Sequence, residues 1–394
     1  MIMQSLRYSL HQPKTLLFLL AIGNAIAFST WQVLLNNYVI EEAAFTGEEI
    51  GILQSLREVP GFLAFTAIWV LLVLRQQHFA LLALITLGIG TAMTGLLPST
   101  TWLYFTTVLM SIGFHYLQTL QSSLSLQWLD RHEAPQVMGQ ILSAGSFCKL
   151  VVLSILYLCF YFFTTDFLFV YLLAGGVTIA LGVFCWMAVP HFEDRVVQRK
   201  ELFLRKKYWL YYLLTFLSGA RRQIFVVFAG FLLVEKFNFP IENVVLLTLV
   251  NAALTTWLAP KIGRLISLIG ERRALTLEYL GLIAIFVSYA FVSNIAVAVA
   301  LYLLDHLFFA MAIALKTYFQ KIADPADIAA TSGISFTINH IAAVVLPAAL
   351  GFLWVINHSA VFFCGAVIAL ASLIFSQLIP DHPLPGLETK LETV

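Results

Sequence analysis

The sequence predicts an all-α polytopic membrane protein with twelve transmembrane helices in two six-helix halves. Three observations predict it. Of the 394 residues, 60% are hydrophobic and only 11% are charged, where a soluble domain carries about 25% charged residues. The apolar runs are continuous rather than alternating, which excludes a β-barrel. The longest polar stretch, Pro190 to Lys207, leaves six apolar runs on each side. This composition also excludes disorder, which needs few apolar residues and many charges. With 22 Lys+Arg against 21 Asp+Glu, there is no basic footprint for nucleic acid.

A segment in lipid must pair its backbone polar groups internally, so each run of roughly 20 apolar residues is a helix. Bounded by charge, Pro, Asn or Gly, the spans fall near 14–40, 49–74, 79–98, 101–129, 137–163, 167–189, 207–235, 241–266, 273–293, 295–322, 330–356 and 359–380. The domains follow as 1–189 for the first half, 190–207 for a cytoplasmic linker, 208–380 for the second half and 381–394 for a cytoplasmic tail. The first span begins like a signal peptide, with Arg7 and Lys14 before an apolar run. That run continues through Val39, so an uncleaved first helix is expected. With the N-terminus inside, sixteen basic residues fall on the cytoplasmic side, from Arg7 through Arg75, Arg131, Arg195, Arg199 and Lys200 to Lys390; the other side holds only Lys236. The Lys/Arg bias therefore places both termini in the cytoplasm, at the cytoplasmic (inner) membrane. Cys148, Cys159, Cys185 and Cys364 all sit in spans without metal-ligand spacing and read as packing residues.

Charges within the spans are expensive, so they mark cavities or partners. Span one carries Ser29, Gln32 and Asn36 on one stripe. Span two carries Arg57 and Glu58 about 12 Å from its start, with Gln54 on the same face and Pro60 just beyond. A substrate-facing ion site and a gating ion pair between helices fit these residues equally. In span four, His115 and Gln118 lie near the midplane, and Ser122 and Ser125 continue the stripe. A wet cavity explains a stripe of this length, although a lone His on an apolar helix is usually a satisfied core residue. Lys149 in span five is too deep to snorkel easily.

Span seven holds Arg221-Arg222-Gln223 after Ser218-Gly219. Adjacent guanidinium groups point about 100° apart on a helix, so one is expected to face the other half while the second faces the cavity. Neutralisation of both by Glu58 and Asp305 is the plainer alternative. Span eight offers Thr248, Asn251 and Thr255 on one face, suited to interhelical bonds or to cavity lining, with interhelical bonding the plainer reading. Span ten holds Asp305-His306 near its middle and Lys316 toward the cytoplasm. A buried carboxyl beside a movable Arg can switch its proton, and His306 is placed to relay it. Span eleven holds Asn339-His340, with Ser332 and Ser335 on the Asn339 face.

Against the deep cations Arg57, Lys149, Arg221, Arg222 and Lys316, this reading counts the deep anions Glu58 and Asp305. The surplus predicts an anionic ligand, a phosphate or carboxylate. The substrate-binding candidates are thus Arg57, His115, Gln118, Lys149, Arg221, Arg222 and Asn339. The proton-coupling candidates are Glu58, Asp305, His306 and His340. No His-Glu-x-x-His, Gly-x-Ser-x-Gly or nucleotide loop appears, so neither an enzyme nor a cofactor is expected.

Each half contains a similar passage. Gln127-Trp128-Leu129-Asp130 precedes Pro135 and Gly139-Gln140; Tyr318-Phe319-Gln320-Lys321 precedes Pro325 and Ala330-Thr331-Ser332-Gly333, about 190 residues later. With its 6+6 spans, basic central loop and internal duplication, the chain resembles the major facilitator superfamily over nearly its whole length. The resemblance implies two halves rocking about a midplane site to give alternating access, usually in a monomer. That family's motif, Gly-x-x-x-Asp-Arg-x-Gly-Arg-Arg, has a partial copy between spans eight and nine. It runs from Gly263-Arg264 to Gly270-Glu271-Arg272-Arg273, with Ser267 and Leu268 where Asp and Arg would stand. Gly263, Arg264, Gly270, Arg272 and Arg273 are gating residues by this resemblance. The first-half copy is reduced to Leu72-Val73-Leu74-Arg75-Gln76-Gln77-His78.

The expected function is proton-coupled secondary transport of a small organic anion, with protons and membrane lipids as the other partners. The alternatives are a lipophilic-drug efflux pump, favoured by 33 Phe and 8 Trp, and a lipid-handling or non-transporting protein of the same fold.

Overall fold

Short polar side chains start several of the helices. Asp166 accepts from the Leu168 N–H at 2.9 Å, Asn294 from Ala296 at 2.8 Å and Asn357 from Ser359 at 2.9 Å. Each satisfies a donor that the first helical turn leaves open. Pro13 opens span one, where its missing N–H is not needed. The computed structural model describes residues 11–45, 47–162, 166–192, 204–237 and 241–393. Arg7 and the linker residues Arg195, Arg199 and Lys200 lie outside them.

Among the described residues, twelve helices correspond to the twelve expected spans. They are Pro13–Glu41, Gly47–Phe62 continued to Val70, Gln76–Thr94, Thr100–Trp128, Ala134–Phe162, Phe167–Ala188, Trp209–Gln223 continued to Phe237, Ile241–Ile269, Glu271–Phe291, Ile295–Phe309 continued to Ile322, Ile328–Ile356 and His358–Ser376. Among the described residues, seven of these are long and apolar enough to cross a membrane. Spans two and seven are broken into shorter pieces. Span two passes into a 3₁₀ turn at Leu63–Thr66, just after Pro60; span seven passes into a π-helical turn at Ile224–Ala229, just after the paired arginines. Such π turns are rare and concentrate at functional sites.

The chain forms two compact units. One comprises Met1–Leu129, Ala144–Leu202 and Ala329–Thr337; the other comprises Asp130–Ser143, Phe203–Ile328 and Ile338–Val394. Each unit takes in the opening turns of one helix whose remainder belongs to the other. These openings, of spans five and eleven, follow the duplicated passages seen in the sequence.

Lipid is as apolar as leucine, so helices associate through close packing and polar contacts rather than through hydrophobic burial. In the first unit, spans three and four meet backbone to backbone. A β-carbon on Gly90 would lie 2.3 Å from the Met110 nitrogen, and one on Gly113 would lie 2.2 Å from the Leu87 nitrogen. Gly90→Val should therefore destabilise the protein by about 1–3 kcal/mol through overpacking. A fall in the thermal midpoint of the purified protein checks this, and an unchanged midpoint would contradict the close approach. In the second unit, spans nine and twelve pack through stacked Tyr289 and Phe362 rings, 5.0 Å between centroids.

Candidate functional site

Proline shapes both units in a corresponding way. Pro260 lies inside span eight and has no N–H, which leaves the Thr256 carbonyl without its helical partner. The Ser143 hydroxyl of span five donates to that carbonyl. Gly139, one turn earlier, admits the Ala259 carbonyl to within 2.4 Å of where a β-carbon would stand; Gly263 does the same for Pro135 at 2.3 Å. In the other unit the helix changes form after Pro60, and the Phe65 N–H donates to the Thr337 hydroxyl of span eleven at 3.0 Å. A serine in span five and a threonine in span eleven thus bond to the backbone of a proline-bearing helix. Hydrocarbon offers no other partner for such groups.

In the first unit, Arg57 Nε donates to Glu58 Oε1 at 3.1 Å, so these chain neighbours pair with each other. Both remain about a quarter exposed. Ser111 donates to the Arg57 carbonyl, and its hydroxyl lies 2.8 Å from His115 Nδ1. His115 is buried, with its ring against Phe114 and Phe336. Gln118 is half-buried one turn away. Lys149 is half-buried and has no hydrogen bond or ion pair among the described residues.

The second unit holds the densest cluster. Arg221 is 4% exposed, and its Nη2 lies 3.4 Å from Oε1 of Glu278, which is equally buried. The guanidinium also covers the Tyr279 ring at 4.5 Å. Neither Glu58 nor Asp305 makes this pair. Glu278 of span nine was absent from the sequence-based count of deep anions, and it corrects that count. Its signal was present: it lies two turns into its helix and is the one charge between Ala274 and Phe291. The surplus of deep cations narrows, because Arg57 and Arg221 both have carboxylate partners. Lys149 and Lys316 have none among the described residues.

Asp305 is 1% exposed, and neither of its carboxylate oxygens has a hydrogen-bond partner. Arg221 Nη1 and Glu278 Oε2 also lack partners. These groups face a common cavity of about 20 Å³, lined also by Ser218, Arg222, Phe225 and Phe286. That volume exceeds the roughly 10–15 Å³ one water needs. One guanidinium thus lies within the fields of two carboxylates, Glu278 and Asp305. His306, adjacent to Asp305, turns to the Tyr302 carbonyl at 3.1 Å and packs on the Phe225 and Tyr302 rings.

Asn339 donates to the Thr215 carbonyl at 3.4 Å, and its own carbonyl presses on Gly219, where a β-carbon would lie 2.3 Å away. It therefore ties span eleven to span seven. His340 is buried beside it. Of the residues assigned to gating, Gly263 makes the close contact already described, while Arg264 and Arg273 are exposed. Gly270 adopts φ +82°, a left-handed value suited to the tight turn before span nine. Arg272 pairs with Asp381 at the start of the tail.

That tail is folded rather than loose. Glu388 and Thr389 are buried, Tyr318 donates to the Glu388 carbonyl at 2.7 Å, and the Lys390 N–H donates to Leu378. Nearby, Lys321 pairs with buried Glu271 at 2.7 Å, and fully buried Asp327 accepts from Arg205 and Tyr208. Sequence reading assigned none of these three acids, because Glu271 and Asp327 stand at span ends and Glu388 in the tail, where charge is ordinary.

The family model described as the Major Facilitator Superfamily matches residues 17–347. Among solved structures, the chain is similar to FucP, a Major Facilitator Superfamily transporter in the outward conformation. The TM-score is 0.76 at 12% identity, covering 94% of this chain and 99% of that one. It is also similar to the human organic anion transporter MFSD10 (TETRAN), with TM-score 0.73, 15% identity and coverage of 92% and 98%. A bacterial homologue of the iron transporter ferroportin in the outward-facing state gives TM-score 0.72, 13% identity and coverage of 93% and 98%. No curated relative matches. At these identities the structural likeness speaks for the fold alone.

Proposed function

Because the chain belongs to the major facilitator superfamily, and so is a membrane-embedded secondary transporter rather than an enzyme, we propose that it carries a small organic anion in symport or exchange with protons. The observation that carries the proton half is Asp305. It is a buried carboxylate without a hydrogen-bond partner, and it shares a water-sized cavity with Arg221 and Glu278. Two carboxylates beside one guanidinium hold a single proton at low cost: protonating one acid leaves a neutral trio, while ionising both leaves a net negative charge in a medium that resists it. Movement of Arg221 from one acid toward the other shifts which of them holds the proton. That is the switch a coupled carrier needs as its halves alternate.

The anionic half rests on the intramembrane cations. Lys149 and Lys316 lie within spans and have no carboxylate among the described residues, so a negatively charged solute is the natural partner for them. One structural neighbour is named an organic anion transporter, and another is the E. coli fucose:proton symporter. These names accord with the two halves of the proposal. The cytoplasmic membrane, with both termini inside, follows from the charge bias, and a single chain is the proposed working unit.

The test is reconstitution into liposomes carrying a pH gradient and offered a panel of labelled carboxylates and phosphate esters. Gradient-driven accumulation of at least one anion is expected, with a reduced rate in Lys149→Gln. Accumulation of lipophilic cations with no anion flux would sink the proposal.

A further inference from the structure

Ser143 and Thr337 stand at matching places in the repeat. Each follows a glycine by one turn, in Gly139-Gln140-Ile141-Leu142-Ser143 and Gly333-Ile334-Ser335-Phe336-Thr337, and the two passages share the offset of the duplication. Each glycine faces the carbonyl of a fully buried alanine on a proline-bearing helix. Gly139 faces Ala259 of span eight, and a β-carbon on Gly333 would lie 3.3 Å from the Ala64 carbonyl of span two. Each hydroxyl then bonds to the backbone of that same helix, Ser143 to the Thr256 carbonyl and Thr337 to the Phe65 N–H. Small residues one turn apart let helices approach closely in lipid, and a hydroxyl adds a bond there. Each hydroxyl is also the last residue that its helix contributes to that unit. From Ala144 and from Ile338 onward, spans five and eleven belong to the other unit. The bonds therefore sit where these two helices pass from one unit to the other.

We infer that Ser143 and Thr337 are paired positioning residues for alternating access: each hydroxyl stabilises the conformation in which the openings of spans five and eleven are held, and both bonds release in one motion. Spans five and eleven cross between the units in mid-helix, so moving one unit against the other requires their openings to come away from the helices that hold them. Release leaves the Thr256 carbonyl, which Pro260 has already denied its helical donor, and the Phe65 N–H without these hydroxyls. Hydrocarbon offers such groups no other partner, so both bonds favour the held conformation. Loss of a hydroxyl then weighs on that side of the equilibrium alone. With the cytoplasmic orientation proposed above, the released conformation is the one open to the cytoplasm. The bonds act on the motion itself, whatever solute or ion is carried.

Ala259→Cys and Ala64→Cys place a thiol on the holding helix of each unit, at positions that are fully buried. Each is made in the full chain with Cys148, Cys159, Cys185 and Cys364 replaced by alanine, and the rate of maleimide labelling is read on the purified protein. Ser143→Ala and Thr337→Val, the latter of nearly unchanged shape, should each speed labelling of both thiols by roughly three- to twentyfold, the factor that interhelical hydrogen bonds in membranes supply. Ser143→Thr and Thr337→Ser keep the hydroxyl and should label at the parent rate. The cross effect separates a shared motion from local loosening: Ser143→Ala must act on the thiol of Ala64→Cys, and Thr337→Val on that of Ala259→Cys. Unchanged labelling in both variants overturns the inference, as does acceleration confined to the thiol beside the altered hydroxyl. Should Ser143→Ala lower the thermal midpoint too far for labelling, Thr337→Val carries the same expectation alone. Liposomes without anion flux would remove the solute reading and leave the cross effect as expected.

Discussion

Glu278→Gln is expected to destabilise the protein by about 3–5 kcal/mol, the loss typical when one partner of a buried ion pair is removed. Arg221 would keep its charge at 4% exposure with its nearest carboxylate gone. The Tyr279 ring face offers some compensation, but cation–π contacts supply only about 2 kcal/mol when desolvated. Asp305 is then the remaining anion acting on the same guanidinium, and it would be drawn into the ionised state to meet it. The double variant Arg221→Leu with Glu278→Leu removes both charges and should recover most of the stability, since buried pairs exchanged for apolar residues are often near neutral. Unfolding of the purified variants measures both effects. A Glu278→Gln protein as stable as the parent would show that Arg221 does not depend on this carboxylate.

The second large effect is on coupling. Asp305→Asn should reduce pH-gradient-driven accumulation to the level of protein-free liposomes while leaving anion exchange across the membrane active. The amide fills the space of the carboxyl and cannot release a proton. It fixes the state in which Arg221 remains with Glu278, which still permits the halves to alternate with the solute bound. Because Asp305 makes no hydrogen bond in the structure, its replacement breaks no existing contact, and the thermal midpoint should hold or rise. Retained gradient-driven uptake in Asp305→Asn would remove the residue from the proton path. Loss of exchange together with uptake would move it into the solute site instead.

The two variants separate features that sequence reading had merged. Arg221 and Arg222 appeared as equivalent substrate ligands, and adjacency gave no basis for preferring either. The structure divides them: Arg221 is buried against Glu278 and Tyr279 of span nine, while Arg222 is half-exposed at the cavity. The midspan position of Asp305 was enough to mark it, because an acid so deep in lipid is rare and faces a cavity or a partner. His306 was assigned as a relay from adjacency alone; the structure adds that its ring packs on Phe225 and Tyr302. Pro260 passed unnoticed because its effect is on a carbonyl four residues earlier, which is visible only once Ser143 is seen to fill the gap.

Composition and the run lengths of apolar residues determined the class, the twelve spans and the repeat, because lipid leaves a backbone one economical way to cross it. Those constraints act along the chain and can be read along it. Which charge meets which was decided by helix rotation and by which spans touch. These depend on close packing at glycine and proline positions distant in sequence, and no local pattern encodes a distance between side chains on spans seven, nine and ten.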